Sequence, residues 1–380
     1  MNELEFVGLK KVLVVDDSAF MRKLISDMLS KHPLLEVIAT ARNGKDALAK
    51  VVEYKPDVLT MDIEMPIMNG LDAVKQIMDL HPTPIVMLSS TTKIGADNTM
   101  LAMEYGAVDF VAKPGGAISL NLHEVEQELV GKVVAATKVN VSKLTKKQQP
   151  ITEKYPRRNR YNTQTAPAAL FSTIDKQSNV LDKKISKVHH SFVIIGTSTG
   201  GPRALQEVLT QLPSTIQVPI LVVQHMPPGF TKSLAQRLDG LSNIRVKEAE
   251  DGEPILKGVA YIAPGGKHLK FEKRENEYCV CLDDVDPPRM GHRPSVDVLL
   301  ESAASIQSAQ FVTVIMTGMG QDGKKGMQQL KAACKTITIA ESEKTSVVYG
   351  MPKAIKEAGL ADQVVDVHHI ASAIMEILQS

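Results

Sequence analysis

The sequence has almost no surplus charge. Its 44 Lys and Arg are set against 43 Asp and Glu, a formal net charge of +1. Bulk attraction to nucleic acid or to an anionic membrane is therefore not expected to organise its function. Cysteine is scarce, at three. Cys279 and Cys281 lie two apart on an expected strand and Cys334 stands alone. That pattern fits neither zinc-ligand spacing nor a disulfide framework, and it suits a reducing compartment. Long apolar runs are missing as well, so nothing reaches the length needed to cross a bilayer. The amino-terminal M-N-E-L-E-F carries no apolar signal core. The expectation is a soluble, cytoplasmic protein that is not inserted in a membrane.

What is present is apolar material enough for packed cores, 43% over 380 residues, and a length that suggests two domains. From Lys11, apolar stretches at Val12–Val15, Val37–Ala39, Val58–Met61, Ile85–Leu88 and Val108–Val111 alternate with segments of helical period. Phe20, Leu24, Ile25, Met28 and Leu29 share one helical face behind Ser18 as N-cap. Ala47, Val51 and Val52 make a second face, and Leu71, Val74 and Met78 a third. Strand alternating with helix predicts a doubly wound parallel sheet, whose ligands bind outside the carboxyl ends of the strands. Polar residues collect there: Asp16 and Asp17 after the first strand, Asp62 after the third, Ser89 after the fourth and Lys113 after the fifth. Converging carboxylates repel one another and call for a hard cation such as Mg²⁺. A carboxylate beside that cation, a hydroxyl and a lysine suits the acceptance of a phosphoryl group. Taken singly, Asp-Asp-Ser is a helix cap and Lys113-Pro114 a turn; together, at successive strand ends, they are a site.

Beyond Lys138 the chain turns polar, rich in Lys, Thr, Gln and Asn, with P-R-R-N-R at 156–160. It reads as a tether. The domain assignment is therefore 1–125, a linker over 126–190, and a second domain over 191–380. In that second domain, F-V-I-I-G-T-S-T-G-G-P-R places Ser198 in G-x-S-x-G between a strand and a helix, where free N–H groups and the helix dipole favour an oxyanion. The helix that follows carries Ala204, Leu205, Val208, Leu209 and Leu212 on one face. His225 follows the strand Pro219–Val223, and Asp322 follows Phe311–Met316 in a glycine-rich loop. A β-rich insert lies between them: Gly258–Ile262, then Leu269–Glu272 and Tyr278–Leu282 around a polar turn, a hairpin. Thr336–Ile339 adds a strand. Ser198, His225 and Asp322 thus share the carboxyl edge of one parallel sheet, and they are the parts of a nucleophilic triad. The same turn could cradle a phosphate instead. However, Ser198 occupies the place of the dinucleotide fingerprint's middle glycine, and no G-K-[ST] follows. The order Ser, His, Asp differs from the Ser, Asp/Glu, His of ordinary α/β-hydrolases.

Two resemblances rest on these residues. Residues 10 to about 125 resemble the receiver domain of two-component response regulators, a flavodoxin-like fold. The resemblance implies that Asp62 is the phospho-acceptor. It also implies that Asp16, Asp17 and Asp62, with the backbone carbonyl of Glu64, hold Mg²⁺. Ser89 and Phe110 would be switch residues, and Lys113 would contact the phosphoryl group. Residues from about 190 to 380 resemble the catalytic domain of the chemotaxis protein-glutamate methylesterases, the CheB family. The matching strings are I-G-T-S-T-G-G-P, V-V-Q-H-M-P-P-G-F-T, A-P-G-G-K-H, G-H-R-P-S-V-D, V-I-M-T-G-M-G-Q-D-G and Y-G-M-P. The chain departs from the family at Glu341-Ser342, where a Gln-Asp pair is common. This resemblance implies an α/β methylesterase domain that hydrolyses glutamate γ-methyl esters on chemoreceptor cytoplasmic helices and deamidates receptor glutamines. The catalytic residues would be Ser198, His225 and Asp322, and the oxyanion would be held by the N–H groups of Thr199 and Met319. His268 would be a supporting residue or a turn histidine. No cofactor would be needed for hydrolysis. A chemotaxis histidine kinase would be the phosphodonor, the chain would act as a monomer, and nucleic acid would not be a partner. Three other readings stay open: a regulator whose second domain only binds, a general serine hydrolase, and a CheB-like enzyme outside chemotaxis.

Overall fold

The computed structural model describes residues 8–113, 122–141, 144, 190–274 and 277–379. The first half is a five-stranded parallel sheet. Its strands are β1 (Lys10–Val15), β2 (Leu35–Ala41), β3 (Val58–Asp62), β4 (Ile85–Ser89) and β5 (Asp109–Ala112), in the order β2-β1-β3-β4-β5. That is the flavodoxin-like order, with its switch point beside β1. The helices are α1 (Ala19–Ser30), α2 (Gly44–Tyr54), α3 (Gly70–Leu80), α4 (Lys93–Glu104) and α5 (Leu122–Ala136). Ser18, Asn43, Asn69 and Thr92 each accept a backbone N–H from the first turn of α1 to α4 respectively. These caps satisfy helix donors at the edge where the acidic residues sit. Val12 to Val15 and most of β3 and β4 are fully buried, as continuous apolar strands covered on both faces should be.

Two expected core positions lie outside. Phe20, on the first turn of α1 and past the end of β1, is 64% exposed. Val52 is 53% exposed, because it stands about 100° around α2 from buried Val51. The helix α5 crosses the boundary expected at 125. α5 runs to Ala136, with Leu129, Val133 and Ala136 buried, so the first eleven residues assigned to the linker are helix. The P-R-R-N-R cluster and most of the remaining linker lie outside the described residues.

The second half is a seven-stranded parallel sheet. Its strands are β6 (His190–Thr197), β7 (Ile220–Gln224), β8 (Arg245–Glu248), β9 (Val259–Ile262), β12 (Ala309–Ile315), β13 (Lys335–Glu341) and β14 (Gln363–Val365). Their order is β14-β13-β12-β6-β7-β9-β8. The stretch Gly258–Ile262, expected within the insert, is β9 of this main sheet, paired to β7 and β8. The insert proper is an antiparallel hairpin of β10 (His268–Arg274) and β11 (Glu277–Asp283). It docks through aromatic contacts: Phe192 on β6 lies 5.1 Å from Phe271 and 5.4 Å from Tyr278, both edge-on. The helices of this half are α6 (Gly201–Leu209), α7 (Phe230–Leu241), α8 (Val296–Ala303), α9 (Lys324–Ala333), α10 (Met351–Glu357) and α11 (Val367–Gln379). From β6 the chain winds to one side through β7 and later returns to the other side at β12. The switch point therefore falls between β6 and β12, where an open α/β sheet forms a crevice. Among the described residues, no helix is long and apolar enough to cross a membrane.

Candidate active site

The switch-point crevice holds the three residues singled out by sequence. Ser198 leaves β6 and sits in the turn before α6, with its backbone N–H on Thr317 O at 3.0 Å. The turn is tight. A Cβ at Gly201 would come 1.9 Å from Gln224 Oε1 and 2.7 Å from Thr197 Oγ1, so only glycine fits. Gln224, at the end of β7, ties the two edges together. Its Nε2 donates to Ser198 O at 2.9 Å and to His225 O at 3.2 Å, while its Oε1 accepts from Thr197 Oγ1 at 2.6 Å. His225 follows directly, buried at 9% exposure.

Asp322, between β12 and α9, is 2% exposed. Its Oδ2 lies 2.8 Å from His225 Nε2 and accepts Val296 N–H at 2.7 Å. Its Oδ1 accepts from Ser295 Oγ at 2.9 Å, Asp297 N at 2.9 Å and Gly323 N at 3.0 Å. The carboxylate thus sits on the amino terminus of α8, where the helix dipole favours a negative charge. Burial alone would raise its pKa. The His225 contact and the Asp297 and Val296 N–H groups outweigh burial and hold it well below the usual carboxylate range. An ionised Asp322 fixes the proton of His225 on Nε2 and leaves Nδ1 as the acceptor. His225 Nδ1 is buried and, among the described residues, has no hydrogen-bond partner; no hydrogen bond joins it to Ser198. Such contacts are often loose before substrate arrives. Among the described residues, the N–H groups of Thr199 and Met319 likewise have no acceptor.

Three further residues that the sequence motifs contain without marking shape the site. They are Gln224, Ser295, and His292, whose ring stacks on that of His225. His268 turns elsewhere: it is buried at the start of β10, and its Nε2 lies 3.2 Å from Pro287 O. Burial lowers its pKa. At the departure from the family string, Glu341 is buried and accepts Thr317 N–H at 2.8 Å and Thr345 Oγ1 at 2.9 Å, so it helps hold the loop after β12.

The acidic site of the first domain is equally compact. Asp16, Asp17 and Asp62 each offer an oxygen within 4.8 Å of the others. Lys113 Nζ lies 2.7 Å from Asp62 Oδ2 and 3.0 Å from Asp16 Oδ2. Asp16 Oδ2 is buried and, despite that ion pair, lacks a well-formed hydrogen bond. An all-oxygen donor set with a spare buried lone pair fits a hard divalent cation. Burial raises the pKa of Asp62, an effect Lys113 opposes and Asp16 reinforces. Ser89 is turned to α4, donating to Gly95 O at 3.1 Å and bonded to Thr99 Oγ1 at 2.7 Å.

Phe110, the other candidate switch residue, is buried between the halves, its ring 4.6 Å from Phe230 of α7. Next to it, Asp109 Oδ2 accepts Thr199 Oγ1 at 2.5 Å, one residue from Ser198. Lys132 of α5 braces this strand end, 3.3 Å from Asp109 and bonded to Phe110 O at 2.7 Å. An Arg237–Glu104 ion pair joins α7 to α4. A Cβ at Gly131 would come 3.2 Å from Met319 Cε, so α5 passes directly beside Met319. The first domain thus lies against both candidate oxyanion donors.

A receiver fold with its acidic pocket, packed against an α/β domain with a serine, an imidazole and a carboxylate at its switch point, defines a response regulator that carries an esterase-type output. The family models agree with that class: the response regulator receiver domain matches residues 12–123 and the CheB methylesterase matches residues 193–374. The chain belongs to the CheB family of protein-glutamate methylesterases/protein-glutamine glutaminases. The protein-glutamate methylesterase/protein-glutamine glutaminase of Geobacillus kaustophilus is 52% identical over 368 residues, 97% of this chain and 98% of that one. The Bacillus subtilis protein of the same name is 46% identical over 96% of this chain and 97% of its own. Among solved structures, the Thermotoga maritima CheB methylesterase catalytic domain is 46% identical, covering 50% of this chain and 100% of that one, with a TM-score of 0.48.

Proposed function

We propose that this enzyme removes methyl groups from glutamate γ-methyl esters on the cytoplasmic helices of chemoreceptors, through Ser198, His225 and Asp322. The observation that carries the reading is the His225–Asp322 pair, which leaves Nδ1 free at the strand edge next to the Ser198 turn. Ser198 Oγ attacks the ester carbonyl and forms the C–O bond while its proton passes to His225 Nδ1. The negative charge moves to the carbonyl oxygen, where the N–H groups of Thr199 and Met319 receive it. The ester C–O bond then breaks, and His225 returns its proton to the departing methoxide as methanol. Water, deprotonated by His225, adds to the acyl carbon; the acyl–Oγ bond then breaks and His225 returns the proton to Ser198 Oγ, releasing glutamate. An amide follows the same route, with ammonia leaving, so receptor glutamines become glutamates. The route uses the chain's own side chains, two of its backbone N–H groups and water.

Asp62 is the proposed acceptor of a phosphoryl group from a chemotaxis histidine kinase. Asp16, Asp17, Asp62 and the Glu64 carbonyl would hold Mg²⁺, which neutralises phosphoryl charge when bound; Lys113 would pair with a phosphoryl oxygen. The receiver would extend to the end of α5 and the catalytic domain from β6, in a cytoplasmic monomer. The Asp109–Thr199 and Phe110–Phe230 contacts support gating: while they persist, the receiver sits on the oxyanion turn. Phosphorylation at Asp62 would release it by biasing that interface. Methanol release from methylated receptor membranes tests all of this. Ser198→Ala should abolish it, and a small phosphodonor should raise it in the wild type but not in Asp62→Asn. An active Ser198→Ala protein would refute the nucleophile.

A further inference from the structure

Beside the triad stands a second imidazole to which nothing above gives a part in the reaction. His292 lies on the loop between β11 and α8. Its ring is stacked on that of His225, with centroids 3.9 Å apart and planes 11° from parallel. The contact matters because of what the other bonds leave undetermined. Asp322 fixes the position of His225 Nε2, but a single hydrogen bond at one ring atom still lets the ring swing about it. The opposite nitrogen, Nδ1, has no partner to stop that swing. A face-to-face contact fixes the plane, and with Nε2 anchored, a fixed plane fixes where Nδ1 points.

The loop that carries His292 is itself held. Arg289 and His292 exchange backbone hydrogen bonds at 3.0 Å in each direction. The Arg289 guanidinium grips Glu301 of α8 in a fork, at 2.9 and 3.0 Å. Arg293 O accepts Gly266 N–H at 2.9 Å, and the Arg293 side chain donates to Asp284 O at 2.7 Å and Asp286 O at 3.1 Å. The stacking ring is therefore mounted on a braced segment.

We propose that His292 is a positioning residue for the reaction, whose ring fixes the plane of His225 so that Nδ1 addresses Ser198 and whose π face backs the imidazolium that forms there. The charge logic agrees. The ionisable groups facing His292 are His225, Asp322 and, from the receiver, Lys132. Burial first, then His225, push its pKa down to about 3, so it stays neutral while its neighbour gains and loses a proton. A neutral aromatic face can lie against a cation, whereas a second cation would repel it.

The inference rests on His225 acting as the base, and the test separates the two ideas. Steady-state kcat and KM for methanol release would be measured on the full chain, with phosphodonor, for His292→Leu, His292→Phe, His292→Ala and His225→Ala. Leucine and phenylalanine are both bulky and apolar, but only phenylalanine offers a flat ring. His292→Leu and His292→Ala should lose about tenfold or more in kcat at unchanged KM, the scale of a misdirected reacting group. His292→Phe should recover most of that loss, with the acid limb of its pH profile where the wild type has it. Equal kcat in the Leu and Phe proteins would overturn the stack, as would a raised KM at unchanged kcat, which would make His292 a substrate contact. Wild-type kcat in His225→Ala would instead remove the base, and the stack's purpose with it.

Discussion

Replacing Asp322 by asparagine tests the centre of the site, and the structure sets the size of the effect. Both carboxylate oxygens act only as acceptors: Oδ1 receives Ser295 Oγ, Asp297 N and Gly323 N, and Oδ2 receives Val296 N and His225 Nε2. Asparagine supplies one oxygen. With that oxygen facing the three donors on the Oδ1 side, the amide NH₂ faces Val296 N–H and His225. Val296 then loses its acceptor, at a cost of ~1–3 kcal/mol of stability. His225 can accommodate the amide only by accepting at Nε2, which moves its proton to Nδ1. In that tautomer it cannot take the proton of Ser198. The expected loss in kcat is about ten-thousandfold with the fold intact, the scale of a wrong-tautomer base. Methanol release would be measured alongside urea unfolding of the same preparation. A folded Asp322→Asn protein within about tenfold of wild-type activity would refute the assigned tautomer and the role of Asp322 with it.

Acid should narrow the stability gap between wild type and Asp322→Asn. The folded-state pKa of Asp322 is depressed, so its contribution is fully present above the ordinary carboxylate pKa of ~3.9 and fades as pH falls through the folded value. Urea midpoints of the two proteins should differ at pH 7 and approach one another at low pH; a constant difference would contradict the linkage. Gly201→Ala should cost about 1–3 kcal/mol by forcing a Cβ onto Gln224 and Thr197, read as a lower unfolding midpoint. Glu104→Ala removes the partly exposed ion pair to Arg237 between the halves. A pair of that kind is worth ~0.2–1 kcal/mol, so basal methanol release without phosphodonor should rise by a factor of about 1.4 to 5. An unchanged or lower basal rate would argue against a closed resting state.

The sequence made the strand ends readable because fully buried parallel strands leave continuous apolar runs, and the next polar residue marks the edge. Asp16, Asp62, Ser89 and Lys113 stand out in that way, and Ser198, His225 and Asp322 in the loops that follow such runs. The partners of those residues do not. Ser295 and the α8 amino terminus reach Asp322, and His292 reaches His225, only because β6, β7 and β12 meet at a switch point; no local spacing records that meeting. Polar β8, with the sequence R-V-K-E, carries no apolar run, and so it passed unread. Gly131 lies within α5, past the expected boundary at 125. In the folded chain, its missing side chain leaves room beside Met319. Phe20 and Val52 failed because a helical period identifies a face but not how far along the helix the sheet covers it.

The hydrogen bond from Thr199 to Asp109 sets two events on one residue. Whatever settles on the turn after β6 does so beside a receiver carboxylate that lies next to Phe110. Linkage is reciprocal: if phosphorylation at Asp62 favours an open crevice, then an occupied crevice favours the phosphorylated receiver by the same factor. A ligand held at Ser198 would thus register 136 residues upstream, in how strongly the phosphorylated state of Asp62 is favoured at equilibrium. In that sense the methylesterase would report to its own receiver how much methylated substrate remains.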